Sequence, residues 1–452
     1  MERLWEVPSS WEWTVIKELG GVVSGATPST KVRDYWDGDV IWFAPSDLTG
    51  YKQKFIARGA KTLTEEGLAN SSARIIPAGS VMFSSRAPVG YVAINSVPAA
   101  TNQGFKSVVP YTGLFEEYLY HYLKASKQMA EQRATGTTFK ELSGAAFGVL
   151  PVPVPPTNEQ RRIVEKIEAL FDEIDKGVES LKTAKTTLGL YRQSLLKSAF
   201  EGRLTADWRK RDGRDEANWP ETDLGDHIEF LTSGSRGWAK YYSQDGELFI
   251  RAQNLKHDRL CLDDVAFVSL PTATAEGTRT RVRAGDVLIT ITGANVTKTG
   301  LVEDDPGTAY VSQHVALCRL LPTVVPRFVW YFLVAQTGGR KQLEEAAYGA
   351  GKPGLNLSNI REVRIPICSP DEQAEIVRLL DARLDAADAL EAEIDAALTR
   401  ASALRQSILK KAFSGQLVPQ DPGDEPAAAL LARIRAERAK APKAARKRKA
   451  LA

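Results

Sequence analysis

Two long stretches of this chain carry a helical stripe. In the first, apolar side chains fall at Ile163, Ile167, Leu170, Phe171, Ile174, Val178, Leu181, Ala184, Leu188, Tyr191, Leu195 and Ala199. Steps of three and four put them on one helix face, with an irregularity near Gly177. In the second, the stripe runs from Ile376 through Leu380, Leu384, Ala387, Leu390, Ile394, Ala397, Ala401, Leu404 and Ile408 to Ala412. Both starts are punctuated. Pro151-Val152-Pro153-Val154-Pro155-Pro156 cannot be helix interior, Thr157 or Asn158 stands where an N-cap belongs, and Glu159 falls in the first turn, where the helix dipole favours an acid. Ser369-Pro370-Asp371-Glu372 opens the second, and Gly202 and Gly415 close the two. Each predicted helix, of about 43 residues, is about 65 Å long. That exceeds the interior of a small domain, so each stripe needs a partner. Either each helix packs on its own globular neighbour, or the two pack on each other. The second reading is favoured, because a duplicated unit tends to assemble through a self-complementary, pseudo-twofold contact, which sets the helices antiparallel with the globular parts at opposite ends.

The duplication is explicit. At an offset of 213 residues, Glu159–Leu204 lies on Glu372–Leu417 without a gap, with 18 of 46 positions identical. Composition alone would give roughly three. Arg192-Gln193-Ser194-Leu195-Leu196-Lys197-Ser198-Ala199-Phe200 is copied as Arg405-Gln406-Ser407-Ile408-Leu409-Lys410-Lys411-Ala412-Phe413. Fainter echoes precede the helices in the same order: Trp11 and Trp219, Ser24-Gly25 and Ser233-Gly234, Ala78-Gly79 and Ala284-Gly285, Thr101-Asn102-Gln103 and Val311-Ser312-Gln313. The 150 or so residues before each helix are rich in Gly, Pro, Thr and Val. Short β-like runs fall at 80–83, 90–94 and 105–109, then at 287–292 and 311–321, and one helical patch per half covers 115–133 and 327–348. The predicted fold class is α+β: two tandem mixed α/β domains, each followed by a long helix, the helices forming an antiparallel coiled coil. The segments are residues 1–157, 158–204, 205–370, 371–417, and a short helix with a basic tail at 418–452.

Charge refines this only locally. Lys plus Arg number 59 and Asp plus Glu 56 in the 452 residues, a formal +3. Nine basic residues and one acid follow from Arg433 onward, so the tail carries +8 and the rest of the chain −5. Nucleic acid would therefore be met through patches and the tail, not a global field. The tail Lys440–Lys449 either touches phosphates nonspecifically or stays disordered. Three cysteines, none in a CxxC pair, and four histidines exclude a disulfide framework and zinc-ligand spacing. The N-terminus is not a signal peptide, and no run of about 18 apolar residues suggests a membrane span; a cytoplasmic location is expected.

Catalytic constellations are missing. Gly349-Ala350-Gly351-Lys352-Pro353-Gly354 lacks the first glycine and the Ser/Thr of a phosphate loop, and Val154-Pro155-Pro156-Thr157 lacks the acid or amide and the aromatic of an amino-methyltransferase loop. What remains is binding chemistry: loops mixing Arg or Lys with amides and hydroxyls, the side chains that read base edges and hold phosphates. In the first half these are Ser85, Arg86, Asn102, Gln103, Lys106, Thr137, Thr138 and Lys140. In the second they are Arg236, Arg251, Gln253, Asn254, Thr292, Asn295, Lys298, Gln313, His314 and Lys352.

The whole chain resembles the specificity subunit of type I restriction–modification systems. The resemblance rests on Ser24-Gly25-Ala26-Thr27-Pro28, Ser85-Arg86-Ala87-Pro88-Val89-Gly90, Ala100-Thr101-Asn102-Gln103-Gly104-Phe105 and the Pro-rich run into Glu159-Gln160-Arg161-Arg162-Ile163-Val164. Added to these are the doubled Gln-Ser-(Leu/Ile)-Leu-Lys block, Asp371-Glu372-Gln373-Ala374-Glu375-Ile376-Val377, and Glu425–Arg435. The second half departs from the pattern, with Ser312-Gln313-His314 for Asn-Gln-Gly and Ile291-Thr292-Gly293 for Ser-Arg. The resemblance implies a non-catalytic subunit whose two target recognition domains each read half of a bipartite site in double-stranded DNA. It implies helices that set the gap and dock two modification subunits, which carry S-adenosylmethionine and methylate adenine. Optional restriction subunits would use ATP and Mg. The chain itself would hold no cofactor or metal. From the residues alone, a solitary bipartite DNA-binding protein and a coiled-coil scaffold that binds no DNA remain alternatives.

Overall fold

The structure, a computed structural model, describes residues 4–440 apart from 87, 137–139, 212, 214–217, 271–274 and 350–352. Thr137, Thr138, Lys352 and most of the basic tail therefore lie outside the described residues. The chain forms two compact units, and the division runs through both long helices: residues 1–180 with 397–452, and residues 181–396.

In the first unit a five-stranded sheet has the order Gly20–Ser24, Phe105–Pro110, Val81–Ser85, Val89–Asn95, Phe55–Ile56, with only the last pair parallel. A three-stranded sheet joins Lys61–Leu63, Trp36–Phe43 and Ala100–Thr101. The proline run is a strand over Pro151–Val154, paired antiparallel with Glu12–Val15. The second unit repeats the scheme with a four-stranded antiparallel sheet of Ile228–Ser233, Val315–Leu320, Val287–Thr290 and Thr299–Leu301. Beside it lies a sheet of Tyr242–Ser243, Ala266–Val268, Glu247–Ile250 and Ala309–Val311.

Two expectations are corrected. The run 311–321 is not one strand. It breaks at Ser312-Gln313-His314, because Ala309–Val311 belongs to the smaller sheet, whose parallel ladder Ser312 N–H continues by donating to Ile250 O at 2.9 Å. Val315–Leu320 belongs to the main sheet, and Val315 N–H closes the turn between them on Ser312 O at 3.1 Å. Each helical patch is also two helices, Glu116–Ala125 with Lys127–Arg133 and Pro326–Val334 with Gly339–Ala346. In the second, Gly338 at φ −117° and ψ −130° interrupts the helical path.

The central helix, Thr157–Phe200, and the distal helix, Pro370–Phe413, are each 44 residues long, and the central one runs unbroken through Gly177. In each unit the beginning of one packs against the end of the other. The first unit buries Ile163, Val164 and Ile167 in one core with Ile408, Leu409 and Ala412. The second buries Ile376 and Leu380 with Leu195, Leu196 and Ala199. Direction follows from the ion pairs of the second unit: Arg192 meets Asp388 at 2.8 Å and Lys185 meets Asp395 at 2.7 Å. Seven residues back on one helix correspond to seven forward on the other, the antiparallel arrangement expected. In the first unit Arg405 pairs with Asp175, the 213-residue equivalents of Arg192 and Asp388. Such reciprocity is the mark of a self-complementary contact.

The repeated Glu-Gln and Phe residues explain themselves here. Gln160 accepts from Phe115 N–H and donates to Pro155 O, at 2.8 and 3.1 Å; Gln373 does the same with Val325 and Cys368, both at 2.8 Å. Buried Glu159 accepts from the indoles of Trp11 at 3.0 Å, as Glu372 does from Trp219 at 3.2 Å. Phe413 stands edge-on to Tyr118 and Tyr122, and Phe200 packs on Phe328 and Phe332. Gly202 and Gly415 both sit at φ +74°, the left-handed conformation that ends a helix at little cost only for glycine. Helix Ala427–Lys440 packs Leu430, Leu431 and Ile434 into the first unit's core.

A charged cluster ties the first domain to the central helix. Glu168 accepts from Lys54, which also pairs with Glu117, and lies 3.2 Å from His121 Nε2. The His121 contact, then Lys54, hold the Glu168 carboxyl down to about 2, while burial pushes the His121 pKa below its ordinary value. Both shifts make the unfolded chain take up protons more readily, so both have the same sign. Stability of the first unit is expected to fall as pH drops below about 6.5, where an unfolded histidine charges, and again from about 4.5 toward 2 as Glu168 protonates. Urea midpoints measured against pH check this: Glu168→Gln should flatten the lower limb.

Candidate functional site

In both units the same four loops meet at one end of the main sheet, held by equivalent backbone bonds. Val81 is opposite Val108 in one sheet and Val287 opposite Cys318 in the other. Where these strands end, Ser85 N–H donates to Gly104 O at 2.7 Å, and Ile291 N–H to His314 O at 2.9 Å. Leu142 N–H then donates to Ser85 O at 2.9 Å, and Leu355 N–H to Ile291 O at 2.8 Å. Arg86 bridges to Glu141 and Thr292 to Gly354. Asn102 N–H reaches Phe43 O at 2.8 Å, as Ser312 N–H reaches Ile250 O at 2.9 Å. Gly25 and Gly234 press onto this turn so closely that a Cβ would come within 2.0 Å of Asn102 O and 2.4 Å of Val311 O. The side chains on this common frame differ: Arg86 where the other unit has Thr292, Gly104 for His314, Thr27 for Arg236, Glu141 for Gly354.

The first unit's version is charged and internally bonded. Arg86 lies 3.6 Å from Glu141, and Lys106 lies 3.7 Å from the same carboxylate. The Lys106 ammonium donates to Gln103 O at 3.1 Å, and burial lowers its pKa against the pull of Glu141. Asn102 donates to Thr27 Oγ1 at 2.7 Å and accepts from Gly104 N–H at 2.8 Å, and the Thr27 hydroxyl donates to Gln103. Ser85 is fully buried, its hydroxyl donating to Gly104 O at 3.0 Å. Gln103 and Lys140 are exposed, and Arg86 is partly so.

The second unit's version is an open hollow of about 680 Å³. Six of the residues singled out from sequence line it: Arg236, Gln253, Thr292, Asn295, Gln313 and His314. An adjoining pocket of about 240 Å³ adds Arg251, together with Trp238, Tyr242 and Phe249. Asn295 donates to Ala252 O at 3.4 Å, and Thr292 Oγ1 lies 2.5 Å from His314 Nδ1. Lys298 stands apart, 3.7 Å from Asp258. Asn254 is buried and works as a turn cap, accepting from Arg251 N–H at 3.0 Å and donating to Asp264 O at 2.8 Å. Asp47 does this in the first unit, accepting from Ala44 N–H at 2.8 Å.

Ser85, Asn102 and Asn254 thus shape the loops, and the side chains left facing outward are Arg86, Gln103, Lys140, Arg236, Gln253, Thr292 and His314. The sequence reading missed Thr27, Glu141 and Ser235, the last of which lines both pockets of the second unit. Thr27 stands within the Ser24–Pro28 signature, Glu141 directly after Lys140, and Ser235 directly after the Ser233-Gly234 echo. Among the described residues no cluster of His, Cys, Asp and Glu could hold a metal, and no helix is long and apolar enough to cross a membrane.

A binding frame built twice, with unlike linings, defines a duplicated recognition protein. Residues 8–181 and 268–400 match the family described as the type I restriction modification DNA specificity domain, and the chain belongs to it. It is similar to the specificity subunit of type I restriction enzyme EcoBI from Escherichia coli, 31% identical over 76% of both chains. It is likewise similar to that of MjaIX from Methanocaldococcus jannaschii, 32% identical over 58% of this chain and 62% of that one. In fold it matches a solved chain of a type I restriction–modification system, with TM-score 0.73, 21% identity, 91% of this chain and all of that one. The HsdS subunit of Thermoanaerobacter tengcongensis gives 0.59 at 21% identity, over 91% of this chain and 99% of that one.

Proposed function

We infer that the chain is the DNA-recognising specificity subunit of a type I restriction–modification complex and performs no catalytic step itself. Each recognition domain reads one half of a bipartite duplex target, and the paired helices set the gap between the halves. The observation that carries this is the duplicated loop frame: one scaffold displays Arg86 and Gln103 in one unit and Arg236, Thr292 and His314 in the other. Identical frames with different donors and acceptors suit a target with two unlike halves.

The helices also offer long surfaces on which two modification subunits dock. Those subunits bind S-adenosylmethionine and methylate adenine within the site. Restriction subunits, where present, supply ATP- and Mg-dependent cleavage, and the assembly works on DNA in the cytoplasm.

Co-expression with its modification subunit in a host lacking the system, followed by sequencing of methylated bases, tests the reading. The expected result is one bipartite motif, with no methylation from the chain alone. A continuous motif, or methylation by the isolated chain, would contradict it.

A further inference from the structure

We propose that Gln313, His314 and Thr292 form a directed hydrogen-bond relay that presents the Thr292 hydroxyl as a donor, and that this hydroxyl rejects cytosine at one position of the half-site read by the second domain. The inference rests on the recognition role given above and adds the chemistry of the base edge.

All three residues line the 680 Å³ hollow. Gln313 Nε2 lies 3.0 Å from His314 Nε2, and His314 Nδ1 lies 2.5 Å from Thr292 Oγ1. An amide nitrogen only donates, so His314 Nε2 accepts. In the neutral ring Nδ1 then carries the proton and donates to Thr292 Oγ1. With its oxygen engaged as acceptor, the hydroxyl hydrogen turns toward the hollow. Reversing the Gln313 amide would reverse the relay, but Gln313 Oε1 is buried where no donor meets it. The orientation with Nε2 toward His314 therefore sets the direction of the relay, and the His314 tautomer reads it out.

The backbone of His314 is fixed independently, since its carbonyl accepts from Ile291 N–H at 2.9 Å. The equivalent positions in the first unit hold Gly104 and Arg86, so the relay belongs to the second reader alone. In the major groove guanine, adenine and thymine each present an acceptor, whereas cytosine presents only its amino donor. One lone pair of the hydroxyl stays open, but its hydrogen is met by guanine, adenine and thymine and left unmet by cytosine, so cytosine is disfavoured at that position. Thr292 would be the residue that touches DNA, with His314 and Gln313 as positioning residues.

The test uses the complex with its modification subunit and reads the methylated motif. Thr292→Ser should leave the motif unchanged. Thr292→Val should admit cytosine at one position of one half-site, a relaxation on the order of a few-fold to tenfold, with the other half-site and the gap intact. His314→Leu should relax the same position, while His314→Asn, whose amide can replace the Nδ1 donor, should preserve it. An unaltered motif in Thr292→Val, a uniform loss of methylation with unchanged preference, or a wild-type half-site that accepts cytosine throughout would overturn the proposal. A second measurement is independent of DNA. The chain has four histidines, so ¹⁵N-histidine spectra, assigned by the signal missing in His314→Asn, should show His314 protonated on Nδ1; protonation on Nε2 would overturn the relay. Failure of the wild type to methylate any bipartite site, with the Nδ1 tautomer present, would instead count against the recognition role.

Discussion

Replacing Glu372 by Ala is expected to destabilise the second unit by about 3–5 kcal/mol, the cost of stripping a buried ion pair of one partner. Glu372 is 3% exposed and Arg209 4%. The carboxylate accepts from Arg209 Nη1 at 2.6 Å and from the Thr205 hydroxyl at 2.8 Å, and its other oxygen accepts from the Trp219 indole. Without it, a guanidinium stays in the interior with no counter-charge from Glu372, held by Thr205 and the Gly202 carbonyl, at 2.9 and 2.5 Å, and by the Trp219 ring 5.8 Å away. For a unit of this size, a loss of that order lowers the melting temperature by about 2–4 °C per kcal/mol. Calorimetry should show the transition of residues 181–396 shifting down while that of the other unit stays in place.

The same logic says what the pair is for. A double variant, Arg209→Met with Glu372→Leu, removes both charges and should recover much of the loss, because an apolar pair of similar volume often replaces a buried ion pair without penalty. A recovery below about 1 kcal/mol in the double-mutant cycle would mean that Thr205, Trp219 and Gly202 depend on the charges themselves. The chain leaving the central helix at Gly202 would then be pinned to the start of the distal one by electrostatics rather than by packing.

The helices were legible because each repeated residue does one job twice. Glu159 and Glu372, Gln160 and Gln373, and Phe200 and Phe413 meet equivalent partners in their own units, so a shift of the sequence against itself exposed a structural fact. Sheet order was not legible. Gly20–Ser24 pairs with Phe105–Pro110, and nothing local in either strand names the other. The break at Ser312-Gln313-His314 was hidden by apolar residues on both sides, though this turn builds the recognition hollow.

Residue type identified the loops but not the role within them. Asn254 and Gln253 are neighbours of the same polar class, yet one caps a turn and the other faces outward. An asparagine that satisfies a backbone N–H and one that would read a base look alike until the topology decides which groups need partners. Convergence of residues near 236, 253, 292 and 314 likewise follows from strand order, not from spacing along the chain.

Removing matched heptads from the two helices is expected to change the gap of the target and leave its half-sites untouched. Residues 177–183 begin two positions beyond Asp175, and residues 397–403 end two positions before Arg405, so the Asp175–Arg405 pair can re-form next to the Lys185–Asp395 pair. Seven residues return the apolar stripe to nearly the same face, with a drift of about 20°, so the helices can still pack. The axis shortens by about 10 Å, equivalent to about three base pairs at 34–36 Å per helical turn of DNA. The loops that line the recognition frames lie outside both deleted blocks, so the bases read in each half have no reason to change. Sequencing methylated sites produced by the shortened chain should return the parental halves about three base pairs closer. Parental spacing would show that the gap is set elsewhere than in the helices, and altered halves would show that the frames are not independent of them.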